Sequence, residues 1–145
     1  MRVLVACEFS GVVREAFRAL GHDAWSCDLI DSKDASPYHI QGNVLACLGD
    51  GWDLMIGHPP CDYLCGSGWH WTARGLRDPK LSDDAYSFFM RMWNAPIAHI
   101  ALENPVGKLS SWFRKPDQII QPYQFGHDAS KATCLWLKNL SRQIK

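Results

Sequence analysis

The apolar run Leu54-Met55-Ile56 leads directly into Gly57-His-Pro-Pro-Cys-Asp-Tyr-Leu-Cys-Gly-Ser-Gly68, and this junction constrains the fold more than any other stretch. A short apolar run reads as a strand, and two prolines end it, because each lacks a backbone donor and fixes φ. The chain must leave the sheet at Pro59 and Pro60 in a pre-shaped loop that holds Cys61 in one place. In open α/β sheets the carboxyl edge of the strands is where ligands bind. A thiol mounted on that edge points to a nucleophile rather than to packing.

The rest of the chain supplies the other strands of such a sheet. Arg2 to Ala6 is β-branched and apolar, and it precedes Cys7-Glu-Phe-Ser-Gly11. Val13, Ala16, Phe17 and Leu20 then recur at helical spacing, closed by Gly21. Ala24 to Cys27 predicts a second strand ending in Asp28, and Asn43-Val-Leu follows a loop. The stretch from Ser82 to Trp93 opens with Ser-Asp-Asp, good N-cap chemistry, and carries Tyr86, Phe89, Met90 and Trp93 on one face. Ile97 to Leu102 predicts a strand ending in Glu103-Asn-Pro105, with further strands near Ile119 and from Cys134 to Leu137. Strands alternating with helical stretches predict an α/β fold with a doubly wound, mostly parallel sheet.

The 145 residues are read as one domain, 1–145, with no repeat or linker. A chain of this size buries about two-thirds of its unfolded surface. No run of about 18 apolar residues and no secretory leader is visible, which argues against a membrane. Six cysteines then read as reduced thiols, so the expected setting is cytoplasmic. Formal net charge is zero but uneven: residues 1–60 carry four Lys/Arg against eight Asp/Glu, and residues 61–145 carry eleven against seven. That asymmetry fits either an anionic partner met by Arg74, Arg77, Lys80, Arg114, Lys115 and Lys131, or scattered solvated charge.

Each strand end then offers a chemistry. Phe9-Ser10-Gly11 is a tight turn into a helix N-terminus, whose amides can hold a carboxylate or phosphate. One glycine is too few for a dinucleotide fingerprint. Asp28 lies some twenty residues on, where an acid can grip ribose hydroxyls. Together they suggest a cofactor with a ribose and an anionic group. Loops after neighbouring strands face one crevice, so Cys61 and Glu103 pair a nucleophile with a general acid.

These segments resemble the cytosine carbon-5 DNA methyltransferases, and most closely short phage- or prophage-type members. Phe9-Ser-Gly11 resembles their cofactor turn, and Asp28 matches the acid that binds the ribose. Pro60-Cys-Asp-Tyr-Leu-Cys-Gly-Ser-Gly68 is similar to their Pro-Cys-Gln-x-Phe-Ser-x-x-Gly loop, and Glu103-Asn104 follows their Glu-Asn-Val. Phe125-Gly126 through Lys131 and the strand from Cys134 resemble the later strand preceded by Gln-x-Arg-x-Arg. The resemblance runs from Phe9 to about Lys138. It implies a Rossmann-like methyltransferase domain that binds S-adenosylmethionine and methylates carbon 5 of cytosine in DNA or in a cytosine nucleotide. By the same resemblance Cys61 is the nucleophile, Glu103 the acid at N3, and Asn104 with Pro60 shapes the loop. Phe9, Ser10, Gly11, Asp28 and Asn43 would bind the cofactor, and Gly68, Lys131 and Thr133 the substrate. Trp69 and Trp71 lie where they could stack on a displaced base or pack in the core.

The departures are as informative. Asp62 stands where the family has Gln, Cys65 where it has Ser, and Asn43 where an acid is expected for the adenine amino group. The two substrate arginines align with Lys131 and Thr133. No separate target recognition domain is expected, so sequence recognition would come from a protein partner, from a homodimer, or not arise at all. Two other classes stay open. One is a non-catalytic remnant of the fold that binds DNA or a protein. The other is a small zinc module, since His58, Cys61, Cys65 and His70 have a spacing that can close a tetrahedral site. The Pro-Pro and Gly-Ser-Gly context fits the methyltransferase loop better, so no metal ligand is assigned. A zinc deaminase fits less well, since its H-x-E is absent and Pro60-Cys61 is followed by Cys65 rather than completing P-C-x-x-C.

Overall fold

The computed structural model describes residues 1–64, 72–121 and 132–141. Its strands are β1 (Arg2–Ala6), β2 (Asp23–Asp28), β3 (His39–Gln41), β4 (Leu54–Gly57), β5 (His99–Pro105), β6 (Gln118–Ile120) and β7 (Thr133–Lys138). They form one sheet in the order β3-β2-β1-β4-β5-β7-β6. The first five of that order run parallel. β7 is antiparallel to both β5 and β6. The fold is therefore α/β with a mixed sheet. The antiparallel β7 was beyond the reach of the sequence, because inward-outward alternation does not encode strand direction.

Alternation along the strands sorts two cores onto the two faces. Val3, Val5, Ala24 and Leu54 pack beneath Val13 and Phe17 of α1 (Val12–Ala19). Leu4, Ala6, Met55, Ile100, Leu102 and Trp136 face the other way, toward Phe89 and Met92 of α2 (Pro79–Trp93). Full burial of side chains such as Phe89 and Trp136 contributes about 1.5–3 kcal/mol each and pins α2 across β5 and β7. Phe89 meets Trp136 edge-on, with ring centroids 5.5 Å apart. The indole N–H of Trp136 donates to the Arg114 carbonyl at 2.9 Å, so its burial strands no polar atom.

The α2 helix begins earlier than Ser82. Asp78 is its N-cap, accepting from the Lys80 amide, and Pro79 opens the first turn. Proline suits that position because its missing donor has no partner there in any helix. Ser82 is instead buried inside the helix, and its hydroxyl donates to the Tyr63 carbonyl at 2.7 Å. A short α3 (Leu109–Trp112) and a 3-10 turn (Val44–Ala46) lie in the connections of the sheet. Among the described residues no helix is long and apolar enough to cross a membrane.

Candidate active site

The sheet order reverses between β1 and β4, since β1 continues outward to β2 while β4 continues the other way to β5. Carboxyl ends of parallel strands diverge at such a point and leave a crevice. A cavity of about 360 Å³ opens there, lined by Cys7, Cys27, Asp28, Leu29, Gly42, Asn43, Val44, Pro60 and Phe88. Three residues singled out in the sequence, Asp28, Asn43 and Pro60, thus meet in one cavity. Cys7, Cys27, Leu29, Val44 and Phe88 were not foreseen, because apolar residues at strand ends carry no signal that separates a ligand wall from ordinary core.

The lip beside Asp28 is fixed from several sides. The Asp28 carboxylate accepts from the Ile30 amide at 3.0 Å, and its carbonyl accepts from the Gly42 amide at 2.8 Å. Asn43 caps the 3-10 turn by accepting from the Leu45 amide at 3.0 Å. Farther along the same loop, Asp34 pairs with the fully buried Arg14 of α1, which also donates to Ser26 at 2.7 Å.

The thiols of the cavity floor are held protonated. Burial, with the Asp28 charge adding to it, pushes Cys7 up to about 12. A hydrogen bond with Cys47, then burial, pushes Cys27 up as well. Neither is a competent nucleophile at neutral pH.

Phe9, Ser10 and Gly11 lie in the turn between β1 and α1. They do not line the cavity. The amides opening α1 are not free for an anion, because Glu8 already serves them: its carboxylate accepts from Val13 at 2.8 Å, from Arg14 at 3.3 Å and from the Ser10 hydroxyl at 3.2 Å. Glu8 is buried, and a carboxylate at a helix N-terminus meets the positive end of the dipole. Gly11 takes φ +81°, which lets the turn close over it. The chain thus carries its own anion where an external one was expected.

The loop after β4 is clamped along its length. The Asn104 amide donates to the Pro59 carbonyl at 3.0 Å, and Arg77 donates to the Asp62 carbonyl at 2.9 Å. Tyr63 is held by Ser82, and the Leu64 carbonyl accepts from the Lys108 amide at 2.8 Å. Cys61 sits between these anchors, half-buried and reduced. Gly57 is the ladder partner of Leu102, so the Cys61 loop leaves β4 beside Glu103, which is still paired within β5. Glu103 and Asn104 then diverge by alternation. Asn104 turns toward the α2 side, 1% exposed, with an Oδ1 that has no partner among the described residues. Glu103 faces the α1 side and accepts from His58 Nδ1 at 2.9 Å.

His58 was read from sequence only as one member of a zinc spacing. Its ring is turned to Glu103, and among the described residues no group of three or more His, Cys, Asp or Glu is arranged to hold a metal ion. Thr133 opens β7 opposite Pro105. Cys65, Gly68, Trp69, His70, Trp71, Phe125, Gly126 and Lys131 lie outside the described residues.

No family model and no curated protein matches this chain. Among solved structures it is similar to the crystal structure of WbdD, with a TM-score of 0.52 at 12% identity. That match covers 99% of this chain but 36% of the other, so the chain spans about a third of its length. At that identity the likeness is one of fold.

Proposed function

We propose that this chain is a methyltransferase-like domain of doubly wound, Rossmann-like type that transfers a methyl group from S-adenosylmethionine to carbon 5 of cytosine. The observation that carries the reading is that Pro60, a wall of the cavity, is the residue directly before Cys61. A ligand in the cavity therefore abuts the thiol loop.

The residues present fit an adenosyl group. Leu29, Val44, Pro60 and Phe88 give apolar surface for a base, and Asp28 offers carboxylate oxygens for ribose hydroxyls. Asn43 adds an amide at the same wall. When bound, the cofactor supplies an electrophilic methyl group on sulfur. Its carboxylate must find donors other than the α1 amides, since Glu8 holds those.

The chain's own part is the activation of cytosine, whose carbon 5 is a poor nucleophile. The Cys61 thiolate adds to carbon 6, forming an S–C bond and pushing the ring electrons toward carbon 5 and N3. Glu103 donates a hydrogen bond or proton at N3, absorbing that charge. After methyl transfer, loss of the carbon-5 proton expels the thiolate and restores the ring. A base inside a duplex has to be flipped out to reach Cys61. The excess of basic residues after position 60 suits a polyanion.

The test is transfer of labelled methyl from S-adenosylmethionine to duplex DNA, single-stranded DNA and free deoxycytidine nucleotides, assayed side by side. Label entering cytosine in any of them supports the reading and names the substrate class. A folded chain that labels none of them contradicts it.

A further inference from the structure

We propose that His58 is a positioning residue for Glu103, holding one carboxyl oxygen through Nδ1 so that the other is presented to the base. The role rests on the methyltransferase reading above and goes beyond it, since that reading assigns His58 nothing.

The juxtaposition is set by the sheet. His58 follows Gly57 and Glu103 follows Leu102, and Gly57 and Leu102 are ladder partners of adjacent parallel strands. The two side chains consequently stand next to each other on one face. Nδ1 and Oε1 are 2.9 Å apart, and each side chain is 30% exposed, so the pair is open to solvent rather than lying in the core.

A glutamate at the end of a strand has three rotatable bonds and no inherent orientation. Anchoring Oε1 removes most of that freedom and leaves Oε2, which has no hydrogen-bond partner among the described residues. His58 can serve as an anchor because it is itself fixed. Its amide donates to the Ala6 carbonyl at 3.1 Å, and the carbonyl of the next residue, Pro59, is held by Asn104. The orientation of Glu103 thus derives from β1 and β5 together.

The bond also fixes the imidazole tautomer. An acceptor carboxylate requires the hydrogen on Nδ1, leaving Nε2 without one in the neutral ring. Titratable groups on the flanking elements include Cys7 and Glu8 after β1, Cys61, Asp62 and Tyr63 in the same loop, and Cys134 of β7. Cys134 is buried and near enough to Glu103 for the carboxylate charge to push its thiol up after burial has done so.

The test uses the whole chain and three variants. Asn places an amide N–H close to where Nδ1 stands, Gln places it nearer Nε2, and Ala has no donor. The readout independent of activity is the hydrogen-bonded Nδ1–H resonance of His58 in a 15N-labelled sample, assigned by its loss in His58→Asn. It is expected in the wild type and should vanish in Glu103→Ala. The second readout is labelled methyl transfer. His58→Asn is expected to keep kcat within about threefold, whereas His58→Gln and His58→Ala lose about ten- to hundredfold with the KM for S-adenosylmethionine unchanged.

Absence of the resonance overturns the positioning role. So do three variants with equal activity, because a donor at Nδ1 would then be irrelevant. A wild-type chain that shows the resonance but labels no cytosine removes the proposed reaction, and this role with it. Should His58→Ala fail to fold, the contrast between His58→Asn and His58→Gln decides.

Discussion

The carboxyl edge of the sheet carries two regions made differently, one at the ends of β1 and β2 and the other at the ends of β4 and β5. At the first, an apolar cavity holds one carboxylate, Asp28, and its two thiols are kept protonated by their surroundings. At the second, the loop is anchored through carbonyls on both sides of Cys61, and the nearby Glu103 carboxylate is hydrogen-bonded to an imidazole. Burial silences a cysteine, and pre-organisation exposes one. On the proposed reading, that contrast sets Cys61 apart from Cys7 and Cys27.

The comparison breaks most sharply at Cys61. Cys61→Ala is expected to abolish labelled methyl transfer while leaving the Kd for S-adenosylmethionine nearly as in the wild type. Undiminished transfer would remove the thiol from the mechanism. Asp28→Ala should do the converse, weakening cofactor binding by about tenfold or more, as loss of hydrogen bonds to a charged group does. An unchanged Kd by calorimetry would take Asp28 out of the site.

A third substitution sharpens the structural side. At Gly57 an added Cβ would lie 2.6 Å from both Leu102 Cδ2 and Met92 Cε. Gly57→Ala should lower stability by about 1–3 kcal/mol in urea unfolding, as overpacking does. Wild-type stability would show that the β4 exit is looser than described.

The smallest effect concerns the silenced thiols. Cys7 has an ordinary value of 9.0 and is pushed up to about 12 in the fold. Above pH 9 the unfolded chain releases that proton and the folded chain keeps it, so stability present below 9 is lost as pH rises toward 12. Cys7→Ala should flatten the alkaline fall of Tm. A wild-type slope in that variant would place the loss elsewhere.

Much of this was legible in the sequence because it rests on local chemistry. Pro59-Pro60 announced the end of β4, and short apolar runs announced β1, β4 and β5. Asp28, Asn43 and Pro60 were singled out as site residues and share one cavity. What escaped needed tertiary information. The direction of β7 depends on pairing with β5, which no local pattern records. Glu8 reads as an ordinary charged residue until the turn at Gly11 folds the α1 amides onto it. His58 meets Glu103 only because Gly57 and Leu102 share a register, across 45 residues of chain.

The most direct test of the central claim is the identity of the methylated nucleoside after digestion of a labelled substrate. Addition of Cys61 to carbon 6 makes carbon 5 a nucleophilic carbon while Glu103 engages N3, so all label is expected in 5-methylcytosine. Label on the exocyclic amine, which can be methylated without any thiol, would contradict it.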